Sequence, residues 1–160
     1  MAAFISVSNR RSSSGFGSFA NLSVAIFDFS IRLWIAKVFF LSGLSKIQSW
    51  QSTVMLFEYE YQVPVLPPLL AAQVATATEL ILPVFIVLGL AARFASLSLF
   101  VFNAVAVYAY SSFLFGDEGA AGLQQHILWG MMMLVTVFHG AGKFSLDHLI
   151  ARWKKGTSIM

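Results

Sequence analysis

The stretch "IRLWIAKVFFLSGLSK", Ile31 to Lys46, decides how this chain is read. Its apolar density is that of a helix crossing a bilayer, for which about 20 such residues are needed, yet Arg32 and Lys37 lie inside it. A cation near the bilayer centre costs about 3 kcal/mol on insertion scales. The rest of the sequence must therefore supply something that makes those charges tolerable.

Composition supports the membrane reading. The chain has 160 residues, of which 58% are hydrophobic and 11% charged, against roughly 25% charged in ordinary soluble domains, and its mean hydropathy is +0.78. This length suits a single compact bundle of helices. There is no cysteine, which excludes a thiol redox motif, a disulfide framework and a thiolate metal site within the chain. The net charge of +3 comes from basic residues dispersed at helix ends, a pattern of topology signals rather than of a nucleic-acid face. The expected partner of most of this surface is the lipid bilayer.

Four apolar segments are predicted as membrane helices, at about residues 28–47, 69–88, 92–113 and 123–140, separated by "VPVLPP", "GLAAR" and "GDEGAAG" and followed by "GAGK". The expected fold is an all-α four-helix transmembrane bundle spanning residues 26–153. It is preceded by a Ser/Gly-rich flexible tail, 1–25, and followed by a basic tail, 154–160. Arg10, Arg11, Arg93, Lys143, Arg152, Lys154 and Lys155 fall on one side of such a bundle and Lys46 on the other, so the positive-inside rule puts both termini in the cytoplasm. The first outer loop carries Trp50, Phe57, Tyr59 and Tyr61, suited to a membrane interface. There Glu58 and Glu60 alternate with aromatics, as in a short extended piece.

Glu79 is the acid within the second helix, and matching helix midpoints sets it at the depth of Lys37. The expectation is a Lys37–Glu79 pair, which avoids much of the cost of an isolated buried charge, with Asp28 serving Arg32 one turn away. Pro83 deprives the Glu79 carbonyl of its helical donor, so backbone and side chain there both seek partners. Such a pair either fixes helix register or serves a function, and the residues leave both open. Asn103, mid-way along the third helix, is a supporting polar position. On the outer side, His126 lies at a depth comparable to Tyr108 and Tyr110, which with Trp50 and Tyr61 form a candidate pocket for a quinone headgroup, the one cofactor the residues suggest. Met131 to Met133 beside His126 do not make a metal site, because consecutive helical residues point to different faces, and His139 and His148 belong to the opposite side; no metal is expected.

"RLWIAKVFFLSGLSKI", "ATATELILPVFIVLGLAARFASLSLF" and the closing "GAGKFSLDHLI" resemble the DoxX family of small four-helix bacterial membrane proteins over about residues 30 to 151. The resemblance implies a multi-pass protein of the bacterial plasma membrane associated with redox metabolism, including quinone-linked sulfur oxidation and oxidative-stress complexes. Carried over by motif, Arg32, Lys46 and Glu79 are the polar positions it marks. In its Ser-x-Asp ending, Ser145 is expected to cap a short cytoplasmic helix from Leu146 to Trp153. The functional expectation is an accessory or anchoring subunit working with a protein partner or as a homo-oligomer, not a complete enzyme. The alternatives are a small-solute or proton carrier built on the Lys/Glu pair and a non-catalytic assembly or export partner.

Overall fold

The computed structural model describes the backbone of residues 13–157 and the side chains of 19–154. Among these residues there are seven α-helices and one 3₁₀ turn, and no strand. They are α1 (Ser13–Gln48), α2 (Trp50–Tyr59), α3 (Pro68–Leu88), α4 (Ala92–Ala109), α5 (Ser111–Leu114), the turn Asp117–Gly119, α6 (Ala120–His139) and α7 (Leu146–Thr157). Three of the described segments, Pro68–Leu88, Ala92–Ala109 and Asp117–His139, are long and apolar enough to cross a membrane. α1 packs against them with Asp28, Arg32, Lys37 and Lys46 along its length.

Of the segment expected as a tail, residues 1–12 lie outside the described residues, and from Ser13 the chain is helical. No proline interrupts it before Gln48, and once a helix is nucleated its extension is cheap. Of the expected basic tail, residues 154–157 belong to α7 and 158–160 lie outside the described residues. The outer loop is a second correction. Trp50–Tyr59 is a helix rather than an extended piece, and it buries Thr53 and Phe57, one helical turn apart. The alternation of Glu58 and Glu60 was too short to compete with that spacing. The third predicted helix also stops early, at Ala109, whose carbonyl accepts from the Gln62 amide at 2.8 Å instead of continuing the helix.

Two rows of residues set the core. On α1 the positions 28, 32, 35, 39, 42 and 46 alternate steps of four and three, the stripe one helix presents to another. Arg32 and Ile35 on it are fully buried, while Leu33, Trp34 and Leu41 beside it are half exposed. On α3 the matching row is Ala72, Thr76, Glu79, Pro83 and Ile86, all buried. The helices come close at Gly43, where an added Cβ would lie 2.9 Å from the Leu80 side chain and 3.1 Å from that of Glu79. Between the two helices and α4 and α6 lie Phe39, Ile86, Leu99 and Met133. Phe39 meets Trp129 and Phe102 edge-on, at 5.7 and 6.5 Å between ring centres.

Candidate functional site

Because Gly43 lies level with Glu79, the next inward position of α1 toward its C-terminus, Lys46, reaches the Glu79 carboxylate. Lys46 Nζ donates to Glu79 Oε2 at 2.7 Å, to Oε1 at 2.9 Å and to Ser42 Oγ at 2.9 Å. The Ser42 hydroxyl in turn lies 3.3 Å from Glu79 Oε1. All three ammonium protons are thus used, which is what a charge held away from water requires. The lysine side chain is 19% exposed and the glutamate side chain 7%.

Lys37 is not the partner of Glu79. It lies on the exposed side of α1, with Nζ 5.9 Å from the centre of the Trp34 ring. Depth misled the expectation twice. Lys37 precedes Gly43 by six residues, about 9 Å of helix rise, and it points off the buried stripe. Nor does Arg32 form an ion pair with Asp28. Asp28 Oδ1 lies 3.3 Å from His139 Nδ1 on α6. The fully buried Arg32 guanidinium donates to the carbonyls of Ile86 at 3.1 Å and Val87 at 3.2 Å, and to that of Phe144.

Arg32 thereby closes the far end of the bundle. α3 stops in a Schellman motif, with Leu90 N–H on Phe85 O and Gly89 N–H on Ile86 O. Gly89 has φ +65°, and a Cβ there would sit 2.4 Å from that of Ser145 and 2.6 Å from Arg32 Nη1, so no other residue fits. Ser145 Oγ accepts from His148 N–H at 3.2 Å, the expected cap. Asp147 accepts from the amides of Ala91 at 2.9 Å and Ala92 at 3.1 Å, placing a carboxylate on the positive end of α4. The Gly140–Asp147 motif is thus a clasp tying α7 to the α3–α4 turn.

At the opposite end the ion pair borders a cavity of about 260 Å³. Phe57, Tyr61, Val63 and Leu66 come to it from α2 and the segment after it, Ala71, Val74 and Ala75 from α3, Phe102, Val105, Ala106 and Tyr110 from the α4 side, and His126 from α6. Phe57 packs on the alanines of α3 and meets Tyr61 edge-on at 4.9 Å; Tyr61 meets Tyr110 likewise at 5.0 Å. Burial holds the Tyr61 phenol above its ordinary range, with Tyr110 and nearby carboxylates adding to the effect, so it stays a neutral donor at physiological pH. Asn103 fixes His126 from behind. Its Oδ1 is 2.7 Å from His126 Nδ1 and its Nδ2 donates to the His126 carbonyl at 3.0 Å, leaving Nε2 as the ring nitrogen without that partner.

Of the residues singled out from sequence, Lys46, Glu79, Tyr61, Tyr110 and His126 line this cavity, and Asn103 backs it. Tyr108, 62% exposed, and Trp50, 36% exposed, do not line it, and neither does Lys37. Sequence reasoning missed Ser42, and it read Phe57 as part of an interfacial loop rather than of the cavity wall. The four-and-three stripe through 28, 32, 35, 39, 42 and 46 was the signal that would have ranked Lys46 above Lys37. Among the described residues no group of three or more His, Asp or Glu could hold a metal ion.

An all-helical protein with three apolar segments of spanning length and a largely apolar cavity, with a buried ion pair in its wall, at one end of the bundle belongs to the membrane proteins. The DoxX family model matches residues 27–112, from the buried stripe of α1 into α5, and the chain belongs to the DoxX family. It is also 30% identical over 128 residues to an uncharacterized protein of Haemophilus influenzae, an alignment covering 76% of this chain and 82% of that protein. No solved structure matches the chain.

Proposed function

We propose that this chain is an accessory or anchoring subunit of the bacterial plasma membrane, in quinone-linked redox or oxidative-stress metabolism. It holds a quinone ring in the cavity beside Lys46 and Glu79. α1 is the fourth crossing, both termini lie in the cytoplasm, and the cavity faces outward. The observation that carries the reading is the composition of the cavity wall: an apolar, aromatic lining with a few convergent polar groups, Tyr61, Tyr110, His126 and the Lys46–Glu79 pair, as small-molecule sites have. The volume falls just below the roughly 300–1,000 Å³ of sites that enclose a whole ligand. It suits a headgroup whose tail lies in lipid. Phenol and imidazole groups are the donors a quinone carbonyl needs, and the alanines of α3 leave room for a flat ring. The chain contributes binding and position; a partner protein or a second copy carries the electrons onward.

Trp129, whose ring is 5.0 Å from that of His126, supplies the readout. Titrating the protein in detergent with a decyl-tailed benzoquinone should quench Trp129 fluorescence saturably, with the component absent in Trp129→Phe. Ala106→Phe, which fills the cavity from α4, should abolish the saturable phase, and Tyr61→Phe should weaken it several-fold. Quenching that never saturates, or that is the same in Ala106→Phe, would overturn the proposal.

A further inference from the structure

The clasp end of the molecule carries a surface that the cavity does not use. α7 is the most strongly amphipathic of the described helices. At 100° per residue, Leu146, Leu149, Ile150 and Trp153 fall within an arc of about 100°, and all four are exposed, Leu149 at 59% and Trp153 at 75%. Arg152 and Lys154 flank the arc, and Lys143 precedes the helix. Phe144, just before the helix, is 50% exposed, and Phe94 at the start of α4 is 72% exposed. Between α4, α6 and α7 lies an open groove of about 470 Å³ that includes Phe94, Arg93, His139 and His148.

We infer that α7 is an interfacial helix that seats the clasp end of the bundle on an anionic phospholipid surface. A short helix with a narrow apolar stripe and basic flanks has the pattern of segments that lie in the headgroup plane with the apolar side sunk into the acyl boundary. Charge favours an anionic surface over a neutral one, since each Lys or Arg near such a surface contributes attraction that salt screens. Position favours lipid over a soluble partner. α7 follows the last apolar span by only six residues, 140–145, and Asp147, through its carboxylate on the Ala91 and Ala92 amides and its own amide on the Gly89 carbonyl, holds its first turn against the end of the bundle. The stripe is therefore kept at membrane level rather than carried off on a linker. Arg93, at the mouth of the adjoining groove, adds a cation for headgroup phosphates. The inference is independent of what fills the cavity at the opposite end.

The absence of cysteine makes the test direct, because each introduced thiol is the sole spin-labelling site. The full chain carrying Leu149→Cys or Ala151→Cys, spin-labelled, is reconstituted in vesicles of phosphatidylcholine alone or of phosphatidylcholine and phosphatidylglycerol in equal parts. With phosphatidylglycerol present, the label at 149 should be oxygen-accessible and several-fold more shielded from a water-soluble nickel complex than the label at 151. Changing Lys143, Arg152 and Lys154 together to Gln should bring the 149 label back toward the 151 value. The proposal is overturned if 149 and 151 are equally nickel-accessible in both lipids. It is overturned in its anionic part if pure phosphatidylcholine shields 149 as well. Spin–spin broadening at 149 that rises with the protein-to-lipid ratio would assign the stripe to a second copy instead.

Discussion

Glu79 holds Lys46 through both carboxylate oxygens, whereas Lys37 has an aromatic ring beside it and faces outward, so the two lysines of α1 should respond oppositely to removal. Taking one partner from a buried pair leaves an uncompensated charge, at a cost of about 3–5 kcal/mol. With Lys46 19% exposed, the lower end applies. Lys46→Met and Glu79→Leu should each lower the melting temperature in detergent markedly, and the double variant should melt well above the sum of the two losses. Lys37→Met should melt within a degree or two of the parent or above it. A strong loss for Lys37→Met, or strict additivity of Lys46→Met and Glu79→Leu, would refute the pairing.

At the scale of elements, the connection between α2 and α3 holds the most constrained backbone. Leu66 N–H donates to Pro64 O at 2.9 Å across Val65, which has φ +72°. This is the positive-φ γ-turn, a rare and strained form, occupied by a β-branched residue whose side chain is 99% exposed. Such backbone costs on the order of 1–3 kcal/mol. The strain sits between Val63 and Leu66, both in the cavity wall, and prolines 64, 67 and 68 limit the alternatives. Val65→Gly gives up no packing and relieves the strain, against about 1 kcal/mol of added unfolded-chain entropy. The expected outcome is an unchanged or raised melting temperature. A clear drop would show that the valine conformation is unstrained.

For the whole molecule, the clasp of Arg32, Gly89, Phe144, Ser145 and Asp147 marks one end and the cavity beneath α2 the other. Basic residues gather at the first end, and Glu58, Glu60, Asp117 and Glu118 at the second. The proposed crossing of α1 and cytoplasmic position of α7 follow from that asymmetry. They predict that, in intact cells, a membrane-impermeant maleimide will label Glu58→Cys without treatment and Lys154→Cys only after permeabilisation. Labelling of both positions in intact cells would mean an even number of crossings, or none, between them.

The sequence by itself determined that the chain is all-helical and built for a membrane, because apolar density and length bear directly on that environment. Local chemistry sufficed as well for the Ser145 cap and for the break at Gly89 and Ala91, where side-chain oxygen and positive φ act over a few residues. What only the tertiary structure decided was which charges meet. Helix limits misplaced by a few residues shift depth by several ångströms, and each residue turns the side chain by 100°. Matching of helix midpoints therefore favoured Lys37 over Lys46, nine residues further along, until the close approach at Gly43 fixed the crossing of α1 and α3. The same crossing, with the short helix α2 laid over the alanines of α3, creates the cavity. No single segment contains that cavity, since its wall is assembled from residues as distant in the chain as Ser42 and His126.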